Sequence, residues 1–187
     1  MNWTDDAFVL SSKRYGESAL ILSLLTKKRG KHSGFLRSIN KKNMRSIIQP
    51  GNLVRVNWRS RIEESLGTYN LELIESSSSN FLYHPINLLT LSSICSICNE
   101  TLPEREAFPT IYNDVYNLFT LFSNYKEVLI SKYIFFELEM LSVLGFGLDL
   151  SSCVVTGKKE NLVWISPKTG KAVSYDIGVD YSNKLLP

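Results

Sequence analysis

Between Glu17 and Glu63 the chain carries Lys27, Lys28, Arg29, Lys31, Arg37, Lys41, Lys42, Arg45, Arg55, Arg59 and Arg61, and not one Asp or Glu. Cations at this density suit one kind of chemistry. They neutralise the phosphates of a polyanion and release its condensed counterions. Lys27-Lys28-Arg29-Gly30-Lys31 sets four cations around a glycine that permits a tight turn. Lys41, Lys42 and Arg45 fall in a connection that closes in Pro50-Gly51, a strong turn signal. Residues 1–61 hold thirteen Lys/Arg against Asp5, Asp6 and Glu17, a net of +10. Residues 62–187 hold eight against fifteen Asp/Glu, a net of −7. The overall +3 hides this division. Such a split predicts a polyanion-facing front half and an acidic, partner-facing remainder. Tyr15 and Phe35 are possible platforms for stacking bases, but each reads better as a core or rim residue, and Trp58 falls on the buried parity.

Other reactive residues offer less. Cys95 and Cys98 form one C-x-x-C inside a helical pattern. Zinc needs a second pair, and redox chemistry needs a βαβ setting. Two small hydrophobes in a core is the better reading. Glu137 and Glu139, two apart on a helix, project in different directions and make a poor acid/base pair. Lys168-Thr169-Gly170 spells a penicillin-binding motif without its S-x-x-K or S-D-N companions, so it reads as chance. There is no P-loop and no G-x-G-x-x-G. With only His32 and His84, a triad or metal site has little material. The expectation is a non-enzymatic protein without metal or cofactor.

Five strands before residue 76 are predicted to position the cations, at about 7–13, 19–26, 32–38, 53–60 and 67–75. In Leu53-Val54-Arg55-Val56-Asn57-Trp58-Arg59, the alternation buries Val54, Val56 and Trp58 and turns Arg55 and Arg59 outward, with Arg61 on the same parity. Tyr69, Leu71 and Leu73 are expected inside, opposite Asn70 and Glu72. Ala19 to Leu25 is nearly all apolar and reads as a strand covered on both sides. The pattern fits a five-stranded, partly open barrel of the oligonucleotide-binding kind (OB-fold), which holds strands across one face and its loops.

The second half reads as helices. Residues 86–102 follow His84-Pro85 and present Leu88, Leu91, Ile94, Cys98 and Leu102 at helical spacing. A helix over about 109–124 presents Ile111, Val115, Leu118, Leu121 and Phe122. One over about 127–144 has two apolar stripes, Ile130-Ile134-Leu138-Leu141 and Tyr133-Phe136-Met140-Leu144, and so is expected to be central. Gly145 and Gly147 stop it. A small β or loop insert occupies about 151–175. The fold class is α+β, with an OB-fold nucleic-acid-binding domain at 1–78 and an all-helical domain at 79–187.

At 187 residues, 44% hydrophobic and 21% charged, the composition is that of an ordinary globular protein and excludes disordered and fibrous classes. Three cysteines give no disulfide framework. The acidic start, Asn2-Trp3-Thr4-Asp5-Asp6, is no signal peptide. The most apolar stretch, Val128 to Phe146, is interrupted by Lys132, Glu137 and Glu139, so no membrane span is expected. These features point to the cytosol.

Particular residues narrow the reading. Trp3, Phe8-Val9-Leu10-Ser11, Tyr15-Gly16-Glu17-Ser18-Ala19-Leu20-Ile21-Leu22, and Thr26 with Gly30-Lys31 lead into Arg37, the basic loop, Gln49-Pro50-Gly51-Asn52 and Val56-Asn57-Trp58. Leu102-Pro103-Glu104-Arg105, Phe136-Glu137-Leu138, Leu144-Gly145-Phe146, Asp149-Leu150 and Cys153 continue the series. In this order they resemble the RecO family of bacterial recombination-repair proteins. The resemblance implies binding of single- and double-stranded DNA and annealing of complementary strands. It implies work with RecR to load RecA onto DNA coated by single-strand-binding protein, in the cytoplasm at the nucleoid. Zinc-bearing members hold a full set of cysteines in the insert; here only Cys153 stands there, so no zinc is expected. Members usually continue through further C-terminal helices, and the end at Leu185-Leu186-Pro187 reads as a truncated or reduced one. An RNA-binding OB-fold module in translation or RNA processing is the alternative that the basic strands leave open.

Overall fold

The computed structural model describes residues 1–17, 19–37, 43–62, 65–77, 85–122 and 129–187, and for Leu121, Phe122 and Leu129 only the backbone. The chain divides into two units, Met1–Phe136 and Glu137–Pro187.

Five strands build the first unit: β1 (Asn2–Tyr15), β2 (Ala19–Thr26), β3 (Gly30–Arg37), β4 (Leu53–Arg59) and β5 (Thr68–Glu75). They close in the order β1-β2-β3-β5-β4, and β1 pairs back onto β4. The expected partly open barrel is therefore closed. The seam is one short parallel pairing, Phe35 with Thr68 and Leu36 with Tyr69. Every other pair is antiparallel. Leu22, Leu24, Val54, Val56, Trp58 and Tyr69 fill the interior. A short helix, α1 (Met44–Ile47), adds Met44 and the following Ile48 to that core.

The alternation on β4 is as expected, with Val54, Val56 and Trp58 buried and Arg55 and Arg59 exposed. On β5 Tyr69 and Leu71 are buried but Leu73 is 41% exposed. Parity gives the face on which Leu73 lies; what covers that face is decided by other elements.

The first strand begins five residues earlier than the periodicity suggests. Asp5 breaks the apolar pattern, yet it is buried. Its carboxylate accepts the N–H of Lys28 at 2.8 Å and of Asp6 at 3.0 Å, so the charge is not left unpartnered. Trp3, also in this early stretch, stacks on Trp58 with centroids 5.5 Å apart. Residues Ala7 to Leu10 are all buried because both faces are covered. Val9 points into the barrel, whereas Phe8 packs on Tyr112 and Phe119.

Those partners come from helices laid on the barrel. In α2 (Pro85–Thr101), Leu91, Ile94, Cys95 and Cys98 are buried and Leu88 is exposed. The Cys95 thiol donates to the Val9 carbonyl at 3.7 Å. Burial pushes its pKa up to about 12, and that of Cys98 up as well. Both are packing thiols. In α3 (Pro109–Phe122), Ile111, Val115 and Leu118 are buried as expected. The connection between these helices presses on the β2–β3 turn. A Cβ on Gly30, where φ is +67°, would lie 1.6 Å from the Glu106 carbonyl oxygen, so only glycine fits.

The third long helix, α4 (Leu129–Leu141), corrects an expectation. Phe136 and Met140 are buried, but Ile130, Ile134, Leu138 and Leu141 are exposed. Only one apolar stripe is covered, because a periodic pattern shows what can be buried and not what is. The helix ends in a π-helical turn, Ser142–Phe146, where Gly145 takes φ +88°.

In the second unit, β6 (Leu162–Ile165) and β7 (Ala172–Ser174) form a hairpin, followed by a short α5 (Tyr175–Gly178). Lys168-Thr169-Gly170 lies in the hairpin's turn. Cys153 is buried, and Ser174 donates to its sulfur from both N–H and Oγ, at 3.3 and 3.4 Å. Hydrogen bonds from Ser174, then Thr156, lower its pKa to about 6.

Candidate nucleic-acid interface

The eleven cations do not share one environment. Lys41 and Lys42 lie outside the described residues. Arg45 is exposed on α1. Lys31 is half-buried, and its Nζ donates at 2.8 Å to the Asn99 carbonyl in the last turn of α2. A cation there also meets the negative end of the helix dipole, so Lys31 fastens helix to barrel. Arg55 is exposed on β4 and gives two hydrogen bonds to the Asp6 carboxylate, at 3.0 and 3.4 Å. Its cross-strand neighbour on β5 is Glu72.

Lys27, Lys28 and Arg29 are exposed in the β2–β3 turn. The Arg29 guanidinium lies 5.3 Å from the centre of the Trp3 ring. With Lys28, Met1 and Arg105 it rims a pocket of about 480 Å³ floored by Trp3, His32 and Trp58. His32 adds no charge. Burial, then the Arg105 cation, lowers its pKa to about 4. Its Nδ1 meets the Tyr69 hydroxyl at 2.7 Å, and that hydroxyl donates to the His32 carbonyl at 3.0 Å. One hydroxyl proton serves one acceptor, so the network assigns the ring proton to Nδ1.

Arg37, Arg59 and Arg61 converge. They come from the end of β3, the end of β4 and the β4–β5 connection, and line an open groove of about 1100 Å³. Phe35, Leu66, Thr68 and Met1 also line it. The register explains the meeting: Arg59 pairs with Thr68, which pairs with Phe35 across the parallel seam. All three arginines are exposed, and no carboxylate lines the groove among the described residues. Glu63 and Glu64 belong to the same connection in sequence and lie outside the described residues. Three guanidiniums beside apolar lining side chains suit a chain of phosphates bearing flat bases.

Sequence reasoning missed two contributors. Arg105 reaches the Trp3 pocket, and its guanidinium donates to the Ser65 carbonyl at 3.0 Å. Counting charge by halves assigns it to the acidic side, and only the fold, in which its N–H donates to the Lys31 carbonyl at 2.7 Å, brings it to the basic turn. The Met1 ammonium donates to the Ser60 carbonyl at 2.6 Å and adds charge beside Arg59. Nothing in a linear pattern joins residue 1 to residue 60.

The closed order of β1 to β5, with a groove where the start of β1 and the β4–β5 connection meet the outer face of β3, defines an OB-fold protein followed by helices. Among the described residues no helix is long and apolar enough to cross a membrane.

Comparison with known proteins agrees. A family model described as "Recombination protein O N terminal" matches residues 1–77, and one described as "Recombination protein O C terminal" matches residues 83–185. The chain is 40% identical over its whole length to the DNA repair protein RecO of Rhodospirillum centenum, covering 74% of that protein. It is 41% identical to the RecO of the Wolbachia of Drosophila simulans, covering 77%, and 37% identical to that of Bartonella bacilliformis, covering 75%. The chain belongs to the RecO family of DNA repair proteins.

Proposed function

We propose that this protein is a non-enzymatic recombination mediator. It binds single- and double-stranded DNA and anneals complementary strands. With RecR it helps load RecA onto DNA coated by single-strand-binding protein, in the bacterial cytoplasm at the nucleoid. The observation that carries the reading is the groove of Arg37, Arg59 and Arg61 on the OB-fold's ligand side. Family membership supports it.

The mechanism needs no bond chemistry. Guanidiniums along the groove hold phosphates of a single strand and release its counterions. Lys27, Lys28 and Arg29 extend the cationic surface beyond the Trp3 pocket, and Lys41, Lys42 and Arg45 add charge in the connection before β4. Annealing follows because the cationic face screens repulsion between two strands while leaving base edges free to pair. Arg55 and Lys31 contribute less, because Asp6 and the α2 carbonyl already hold them.

The rival reading, an RNA-binding module, uses the same face. Competition between single-stranded DNA and RNA of equal length, with a pull-down against RecR, separates them. Binding of single-stranded DNA undisturbed by equimolar RNA, together with retention of RecR, is the expected result. Preference for RNA without retention of RecR would overturn the mediator.

A further inference from the structure

We propose that Tyr15 and Phe35 form a stacking platform for unpaired bases beside the arginine groove, which Phe35 lines. The proposal rests on the single-strand reading of that groove and adds to it what the site recognises apart from charge.

The two rings come from strands that do not touch. Tyr15 ends β1 and Phe35 lies near the end of β3, with β2 between them. Backbones two strands apart are about 10 Å from each other. The ring centroids are only 5.2 Å apart, at 58°. Both side chains therefore lean in over β2. There Tyr15 pairs with Ala19, and Ala19 pairs in turn with Arg37. A methyl group at this position leaves the rings room to meet.

The platform is accessible and continuous with the cations. Tyr15 is 58% exposed. Phe35 is half-buried on the outward face of β3, two residues before Arg37, and both Phe35 and Arg37 line the groove. A large aromatic held this far in water does not serve the barrel's interior, which Leu22, Leu36 and Tyr69 fill without it. Its neighbours also fit a nucleotide better than a peptide. Across the same sheet face, Lys13 is in register with Ile21 and Phe35, so cations stand on two sides of the aromatic pair. A phosphate on either side brings the intervening base over the rings.

Stacking is sequence-tolerant because every base has a π-face, and it requires the base to be out of a duplex. The platform thus gives the groove a preference for single strands that guanidiniums alone do not supply. Loss of one stacked base lowers affinity roughly 5- to 150-fold.

The test compares an oligothymidylate with an abasic oligonucleotide of equal length, which keeps every phosphate and has no bases. The wild-type chain is expected to bind the oligothymidylate at least about fivefold more tightly. Tyr15→Ala removes most of that difference, leaves the abasic strand and a blunt duplex bound as before, and leaves the salt dependence unchanged. Tyr15→Phe keeps the preference. Equal binding of the two strands by the wild-type protein overturns the platform, as does an equal loss on both strands with Tyr15→Ala. The underlying reading fails differently: neither strand is bound, or neutralising Arg37, Arg59 and Arg61 changes neither affinity.

Discussion

Replacing Arg37, Arg59 and Arg61 together by glutamine removes three charges that share one groove and no interior contact. Each arginine is exposed, so the triple variant is expected to fold with stability close to wild type, each site shifting it by less than about 0.5 kcal/mol. Its effect on DNA comes from counterions. For a single strand, each neutralised phosphate adds about 0.7 to the slope of log K against log salt. Three lost contacts flatten the slope by about 2. Between molar salt, where these contacts add little, and tenfold lower salt, the same contacts account for about 100-fold in affinity. Fluorescence anisotropy of a labelled oligonucleotide across a salt series measures both quantities on one sample. An unchanged slope with an intact fold would refute the assignment. A parallel loss of affinity at every salt concentration would also refute it, since that signature belongs to non-ionic contacts.

Three further expectations concern single elements. Arg55→Gln should cost clearly less affinity than Arg59→Gln, because Asp6 already holds the Arg55 guanidinium; equal losses would show that the pair opens on DNA. His32 has a folded pKa near 4 against 6.5 when unfolded, so the unfolded chain takes up the proton first as pH falls. This part of the stability is complete above pH 6.5 and is lost down to pH 4, with an upper limit of about 3 kcal/mol. Denaturant titrations of wild type and His32→Gln across that window check it, and a wild-type chain no more acid-sensitive than the variant contradicts it. Cys95 and Cys98 should resist alkylation in the native protein and react on unfolding, because both are buried and their thiols held protonated. Rapid native labelling of both would contradict their packing role.

Much of the barrel was legible because strands with one wet face alternate with period two, and β4 does so without interruption. The start of β1 was hidden for a physical reason. Asp5 reads as polar terminus until the Lys28 N–H that satisfies it is known, and that contact spans 23 positions. The cations were legible as a set but not as a site. Arg37, Arg59 and Arg61 become neighbours only through the parallel β3–β5 seam, a pairing that local periodicity does not encode. The same limit made Lys31 look like its neighbours, although the fold ties it to α2. Tyr15 and Phe35 were each visible as aromatics, and only the register of three strands shows that they meet. On α4 the error ran the other way: Ile130, Ile134 and Leu138 are apolar at helical spacing and nevertheless face solvent.

The most direct measurement follows two complementary strands, each coated with single-strand-binding protein, as they pair. The wild-type chain is expected to accelerate pairing, and the variant lacking Arg37, Arg59 and Arg61 is expected to leave it near the uncatalysed rate at moderate salt. Pairing driven equally fast by that variant, or no acceleration by the wild-type chain, would contradict a mediator that works through the barrel groove.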